Sequence, residues 1–81
     1  MSVVTVYSMP DCHLCAEAMT VLRGLQAQVP FELRELDISD DDALLRAYFE
    51  RIPVVEVDGE VVSELLLDRS ALMARLDTLV R

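Results

Sequence analysis

Two cysteines, Cys12 and Cys15, lie two residues apart where a short apolar strand ends and a helix is predicted to begin. A Cys-x-x-Cys pair can close a tight disulfide or bind a metal ion. On the first turn of a helix, the backbone N–H groups and the positive end of the helix dipole favour thiolate over thiol. Because thiolate is the reactive form of cysteine, this arrangement indicates a site for sulfur chemistry.

The two sulfurs are expected to play different parts. Cys12 lies outermost at the helix start, so it should be the more accessible cysteine and have the lower pKa. Cys15 lies one turn inward on the apolar stripe of the helix and should be buried. Since positions i and i+3 are neighbours on a helix, a Cys12 thiolate could attack a substrate disulfide and Cys15 could then release the reduced product.

Other interpretations of the cysteine pair remain open at this point. Cys12, His13 and Cys15 could offer three metal ligands, but a structural zinc site needs four and the sequence holds no second Cys pair. A zinc ion or iron–sulfur cluster shared between two chains is a further alternative. The pair could also serve as a redox sensor in a binding module, or be inert. No glycine-rich phosphate loop, paired-histidine motif or nucleophilic-serine motif competes with these interpretations.

The composition limits the class of partner. The chain has 81 residues, enough for one domain (residues 1–81), and 53% of them are hydrophobic. Seven Arg, no Lys and fifteen acidic residues give a formal charge of −8, which argues against nucleic acid and favours a neutral or cationic protein partner. No segment approaches the ~20 apolar residues of a membrane span, and the N-terminal residues lack a signal-peptide pattern. We therefore expect a cytoplasmic protein with no membrane partner.

The first half of the chain alternates strand and helix. Residues 3–7 form a β-branched run typical of a central strand buried on both faces. A helix is predicted over residues 12–28, because Pro30 prevents it from continuing further. The apolar stripe of this segment comprises Cys15, Ala18, Leu22, Leu25 and Val29. Residues 31–36 alternate apolar and charged side chains, which predicts a half-solvated edge strand.

The second half begins with a helix and continues with a hairpin. Ser39 is expected to cap the helix in an approximate capping box with Asp42, and the acidic triplet 40–42 indicates first-turn carboxylates rather than a cation site. The predicted buried face of this helix comprises Leu44, Leu45, Tyr48 and Phe49. Residues 52–62 are predicted to form a hairpin that turns at Asp58-Gly59.

The last helix should be capped by Asp68 or Ser70. Its predicted inner side comprises Leu72, Met73, Leu76, Leu79 and Val80. The element order is therefore β-α-β-α-β-β-α, with helices packed on a small sheet. We expect the first two strands to be parallel and the last two antiparallel.

This order resembles the thioredoxin fold, and in particular the glutaredoxin-like proteins. The residues that carry the resemblance are Tyr7-Ser8-Met9-Pro10-Asp11-Cys12-His13-Leu14-Cys15, Arg51-Ile52-Pro53-Val54-Val55 and Asp58-Gly59. The resemblance implies an α/β thioredoxin fold with a four-stranded mixed sheet and helices on both faces. It also implies a thiol–disulfide oxidoreductase acting on a disulfide-bearing protein or a small thiol, and we expect the protein to be a monomer.

Carried over from the family, the nucleophile is Cys12, the resolving cysteine is Cys15, and Pro53 follows a cis peptide bond and faces the pair. The residues alone favour a trans proline that starts a strand. A cis bond at Ile52-Pro53 costs only ~0.5–1 kcal/mol over trans, and it would turn the Ile52 backbone toward an extended substrate.

The sequence also departs from the family pattern. Glutathione-using members carry a Lys three residues before the first Cys and a Gly-Gly pair after the fourth strand, where this chain has Met9 and Ser63-Glu64. Arg51 is one remaining cation that could bind a ligand carboxylate, although it could equally be a surface residue without a ligand. We therefore predict no bound cofactor and weak binding of glutathione as a cosubstrate.

The family's usual Pro-Tyr between the cysteines is replaced here by His13-Leu14. Protonated His13 could stabilise the neighbouring Cys12 thiolate and make the disulfide more oxidising. Asp11 on the other side acts in the opposite direction, and water and salt should screen both groups. His13 is thus a candidate for tuning the Cys12 pKa.

Overall fold

Four strands and three α-helices follow one another in the predicted order. The computed structural model describes the backbone of residues 2–80 and the side chains of residues 2–76. Its elements are β1 (Ser2–Ser8), α1 (His13–Gln26), β2 (Phe31–Asp37), a 3-10 turn (Ile38–Asp40), α2 (Asp42–Tyr48), β3 (Val54–Val57), β4 (Glu60–Glu64) and α3 (Arg69–Val80).

The sheet has the strand order β2-β1-β3-β4, so the β-branched run of the sequence is central and β2 is an edge strand. β1 pairs with β2 in parallel, and β3 pairs with both β1 and β4 in antiparallel fashion. The predicted strand directions are therefore confirmed. The register pairs Tyr7 with Val54, which brings the carboxyl end of β1 and the amino end of β3 to the same edge of the sheet.

The main core lies on the sheet face covered by α1 and α3. Alternate residues of β1 and β3 point into it, and leucines of both helices complete it; its fully buried members include Val4, Val6, Leu22, Val55, Val57, Leu72 and Leu76. The predicted stripe of α1 is buried from Cys15 to Leu25, while Val29 and Met73 pack partly buried against the core. The side chains predicted at Leu79 and Val80 lie outside the described residues.

The opposite sheet face is covered less completely. The helix on that face, α2, has seven residues and none of them is fully buried. Tyr7 of β1 stacks on Tyr48 of α2 with ring centroids 4.7 Å apart. The β1 residues on this face, Val3, Thr5 and Tyr7, are only half-buried. The prediction that β1 is buried on both faces is therefore wrong for the face that α2 covers.

The start of α2 also differs from the prediction. Asp41, rather than Ser39, is the N-cap, because its carboxylate accepts hydrogen bonds from the N–H groups of Ala43 and Leu44. Buried Ile38 begins a 3-10 turn instead, and Asp37 caps that turn by accepting from the Ser39 N–H at 2.9 Å. The acidic triplet does supply the helix-terminal carboxylate, as expected.

The end of α2 contradicts the predicted burial of Phe49. The helix stops at Tyr48, and the Phe49 side chain is 59% exposed. Leu44, Leu45 and Tyr48 are not fully buried either. Because α2 is two turns long, it can turn only a narrow stripe toward the sheet, and Phe49 falls outside that stripe.

Local turn and cap signals are confirmed elsewhere. Asp58 and Gly59 have φ values of 51° and 87°, the pair of left-handed conformations that a tight β3–β4 hairpin requires. Asp68 caps α3, accepting from the Ala71 N–H at 2.9 Å. α1 is shorter than predicted, running from His13 to Gln26, with Cys12 as its N-cap and Ala27 as its C-cap. Within the described residues, no helix combines the length and apolar character needed to cross a membrane.

Candidate active site

Cys12 occupies the N-cap of α1. Its backbone is extended (φ −91°, ψ 105°), and its sulfur accepts a hydrogen bond from the N–H of Cys15 at 3.2 Å. The chain reaches this position because Pro10 interrupts β1 and Asp11 turns the backbone through a left-handed conformation (φ 62°). A side-chain oxygen usually caps a helix at this position, and here the Cys12 sulfur takes its place. The sulfur accepts a hydrogen bond from one of the N–H groups that have no partner within the helix.

Cys15 lies one turn inward and is joined to Cys12 by a disulfide, with their Cα atoms 5.2 Å apart. Cys15 is only 2% exposed, whereas Cys12 is half-buried. The first turn of α1, which the structure describes in full, contains no acidic residue that would oppose a negative charge on Cys12. The predicted difference in accessibility between the two sulfurs is therefore present in the structure.

Pro53 lies at the same edge of the sheet as the cysteines. The Ile52–Pro53 peptide bond is cis, and the proline is fully buried. The antiparallel pairing of β1 with β3 ends at Tyr7 and Val54, so Pro53 lies one residue beyond the last pair, at the end of β1 from which the chain continues to Cys12. The N–H of Ile52 donates to the carbonyl of Tyr48 at 3.1 Å. The backbone N–H of Ile52 therefore already has a partner within the chain.

Arg51 is engaged by neighbours within the chain. Its Nε lies 2.8 Å from a carboxylate oxygen of Glu64, its Nη2 donates to the same oxygen, and its guanidinium lies 5.2 Å from the centre of the Tyr48 ring. The Glu64 hydrogen bonds raise the pKa of Arg51, and the same bonds lower the pKa of Glu64. A ligand carboxylate at Arg51 would therefore have to compete with Glu64.

The Arg51–Glu64 pair predicts a pH-dependent contribution to stability. The folded pKa of Glu64 is lower than its unfolded value, so the contribution is complete above about pH 4.3 and is lost as the pH falls through the lower folded pKa. The pair is exposed, which keeps the effect small. We expect Glu64→Gln to flatten the acid part of the stability profile, measured by urea denaturation at a series of pH values. An acid limb identical to that of the wild type would contradict this.

His13 is the first residue of α1 and is directed to solvent. Its side chain is 85% exposed, and Nε2 lies 2.9 Å from the Glu17 carboxylate one turn further along. A carboxylate partner and full hydration both moderate the field that His13 exerts on Cys12. Its tuning role remains a prediction. Among the described side chains, no group of three His, Cys, Asp or Glu residues is placed to hold a metal ion.

Two clefts share Met9 as a lining residue, and sequence reasoning missed the larger of them. Met9, Asp11, His13 and Glu35 line a cleft of about 400 Å³ that contains Cys12. A cleft of about 600 Å³, which Met9 also lines, runs along α2 to Phe49. The signal that could have shown it is the length of α2, because a two-turn helix cannot bury Leu44, Leu45, Tyr48 and Phe49 together.

Comparison with known families matches residues 3–77 to the glutaredoxin-like domain (DUF836). A search among curated proteins finds no match. The matched range contains both cysteines, the Ile52–Pro53 turn and the hairpin.

Solved structures similar to this chain share its fold. Protein Ne2328 from Nitrosomonas europaea is 32% identical, with a TM-score of 0.83 over 91% of this chain and 89% of that one. Target protein XcR50 from X. campestris is 36% identical, with a TM-score of 0.73 over 93% and 96% of the two chains. A mutant thioredoxin from Halobacterium salinarum is 27% identical, with a TM-score of 0.64 over 95% and 73%. The architecture is that of the thioredoxin fold.

Proposed function

Since the chain belongs to the glutaredoxin-like domain family (DUF836), we propose that it is a thiol–disulfide oxidoreductase that exchanges electrons through Cys12 and Cys15. One observation carries the proposal: the Cys12 sulfur caps α1 and accepts the Cys15 N–H, while Cys15 is buried directly behind it. A hydrogen bond to sulfur at a helix N-terminus stabilises thiolate more than thiol. This environment favours both attack by Cys12 and its departure as a leaving group.

The proposed reaction begins with the dithiol form of the protein. The Cys12 thiolate attacks one sulfur of a substrate disulfide, forms a mixed disulfide and expels the other substrate sulfur as a thiolate, which takes up a proton. Cys15 then loses its proton and attacks the Cys12 sulfur, closing the disulfide and expelling the second substrate thiol. Two electrons pass to the substrate, and the protein ends in the oxidised form that the structure describes.

The Ile52–Pro53 turn is proposed to position the substrate. It lies beside the end of β1, and proline presents no N–H at this buried position. Because the Ile52 N–H is already bonded to Tyr48, the proposal assigns the Ile52 carbonyl as acceptor for a backbone N–H of the substrate. The expected partner is a disulfide-bearing protein or small thiol in the cytoplasm, where a Cys-x-x-Cys pair is more often catalytic than structural.

The proposal is tested by a redox titration combined with a turnover assay. The Cys12–Cys15 disulfide should form and break reversibly in dithiothreitol buffers, and the protein should catalyse reduction of a neutral test disulfide such as bis(2-hydroxyethyl) disulfide by dithiothreitol. Reversible oxidation without turnover of either this disulfide or a peptide disulfide would refute the enzymatic proposal and favour the redox-sensor alternative. Bound zinc or an iron–sulfur cluster in freshly purified protein would favour the metal alternative.

Glutathione is predicted to bind weakly, because it is a net anion and Glu64 already occupies the Arg51 guanidinium. Freeing Arg51 by Glu64→Gln should strengthen glutathione binding about tenfold, the value of one charge-assisted hydrogen bond. NMR titration measures the affinity, with shifts expected around Arg51 and Cys12.

The matched control for this titration is Glu60→Gln. It removes the same charge from an exposed carboxylate whose partner is Arg75, at 2.8 Å. The control should leave glutathione affinity close to that of the wild type. Tight, specific binding by the wild type, or equal gains in the two variants, would contradict the prediction.

A further inference from the structure

The cleft along α2 offers an apolar surface that extends to Met9, three residues before Cys12. Its volume is about 600 Å³, within the range of pockets that bind ligands. Phe49 is 59% exposed there although it is among the largest apolar side chains of the protein. The residues that line it include Met9, Leu45, Arg46, Phe49, Glu50 and Arg51.

Met9 connects this cleft to the reactive sulfur. It lines the apolar cleft, the cleft that contains Cys12, and a third cleft of about 260 Å³ bounded by Pro10, Glu35 and Asp37. The three openings therefore adjoin one another at Met9, and the one that contains Cys12 also shares Glu35 with the third. A chain segment that presents a sulfur to Cys12 therefore has two further clefts next to it, one along α2 and one beside β2.

The two sides differ in charge. On the apolar side, Arg46 and Arg51 are balanced by Glu50 and by the Glu64 carboxylate bonded to Arg51, so the local sum is close to zero. On the other side, none of the described side chains that line the two clefts belongs to Lys or Arg.

The carboxylates there belong to Asp11, Glu35 and Asp37, and Glu35 accepts a hydrogen bond from buried Ser8 at 3.2 Å. A substrate that fits both sides carries an apolar group toward α2 and a positive charge toward β2.

We propose that the substrate is an extended segment of a protein disulfide whose cysteine is flanked on one side by a large apolar residue and on the other by Lys or Arg. This proposal rests on the proposed oxidoreductase function. A small thiol would fill only one of the three adjoining clefts. A second copy of this chain would bring another −8 of formal charge to an already acidic face.

The test uses reduced protein and short peptides whose single cysteine is capped as a 2-thiopyridyl disulfide. Cys12 attacks the peptide sulfur and expels 2-thiopyridone, whose absorbance gives the second-order rate constant. The matched peptides place cysteine between phenylalanine and arginine, in both orders, and the unmatched peptides carry serine and aspartate instead.

We expect the better of the two matched peptides to react at least about tenfold faster than the unmatched peptides. A rate ratio of this size is what partial burial of one large side chain supplies. The preference for arginine should shrink as salt is raised, because salt screens exposed charges.

Variants of the protein test which cleft contacts each residue that flanks the peptide cysteine. Phe49→Ser should remove most of the preference for phenylalanine, and Glu35→Gln should weaken the preference for arginine. The control is Val61→Ser, which changes an exposed apolar residue of β4 beside the hairpin turn, at the opposite end of the sheet. It should keep both preferences.

Several outcomes would overturn the proposal. The first two are equal rate constants for matched and unmatched peptides, and a Phe49→Ser variant that retains the apolar preference. The third is a small apolar disulfide that reacts as fast as the matched peptide. The fourth is a dimer, detected by sedimentation, that Phe49→Ser dissociates. A protein that reacts with no disulfide at all fails the proposed function itself. Equal reaction with every peptide leaves that function intact and refutes only the inferred substrate preference.

Discussion

Replacing Cys12 by alanine is expected to reduce disulfide exchange to the uncatalysed rate. The substitution removes the sulfur that caps α1 and that forms the mixed disulfide, and buried Cys15 is only 2% exposed, too little to substitute for it. The measurement is the rate of bis(2-hydroxyethyl) disulfide reduction with dithiothreitol as donor, with circular dichroism to show that the variant is folded. Activity above background would contradict the assignment of Cys12 as nucleophile.

The matched variant is Cys15→Ser, which should separate the two steps. It retains the Cys12 thiolate and therefore the first attack, but it cannot resolve the mixed disulfide. When the reduced variant is mixed with the disulfide and no other thiol is present, a single stoichiometric burst of released thiol is expected, followed by a stable adduct on Cys12 in mass spectrometry. An adduct on residue 15 is impossible in this variant, so failure to trap any adduct would contradict the assignment of Cys12 as the attacking cysteine.

Leu22→Ala is expected to lower the free energy of unfolding by about 2–5 kcal/mol. Leu22 is fully buried at the centre of the core between α1 and the sheet, so the truncation removes apolar contact and leaves a cavity. A domain of this length has a total stability of roughly 4–12 kcal/mol, so the loss is a large share of it. Urea denaturation of the oxidised protein measures the change.

Gly24→Ala is the control on the same helix, and it should change stability in the opposite direction. Gly24 lies inside α1, and a Cβ built there meets no atom within 4 Å. Alanine should therefore gain up to about 1 kcal/mol from helix propensity without a steric penalty. A loss for Leu22→Ala below about 1 kcal/mol, well under the usual range for a buried leucine, or a loss for Gly24→Ala, would contradict this account of the α1 packing.

Features specified by adjacent residues could be predicted from the sequence. The β-branched run forms a central strand, the Cys-x-x-Cys pair lies at the start of a helix, and Asp58-Gly59 turns a hairpin. Asp68 caps the last helix. In each case a few neighbouring side chains decide the backbone conformation, so no knowledge of the rest of the fold is needed.

Features that depend on packing between distant segments could not be predicted. Several carboxylates compete to cap α2, and the buried Ile38 that shifts the cap to Asp41 has no local signature. Phe49 has the spacing of a core residue, yet the helix ends before it is covered. Arg51 lies in the turn before β3 and its partner Glu64 is thirteen residues away at the end of β4, so only the pairing of β3 with β4 brings the two within reach.

The main chain around Arg51 has a consequence for how a substrate would be received. The Arg51 N–H donates to the carbonyl of Tyr48 at 2.8 Å, and the Arg51 carbonyl accepts from the N–H of Leu65 at 3.0 Å. Leu65 adopts a left-handed conformation (φ 63°). The turn leading to Pro53 is therefore fastened to the end of α2 and to the segment after β4. A partner that docks here meets a preorganised receptor, so little of its binding free energy is lost to ordering the turn.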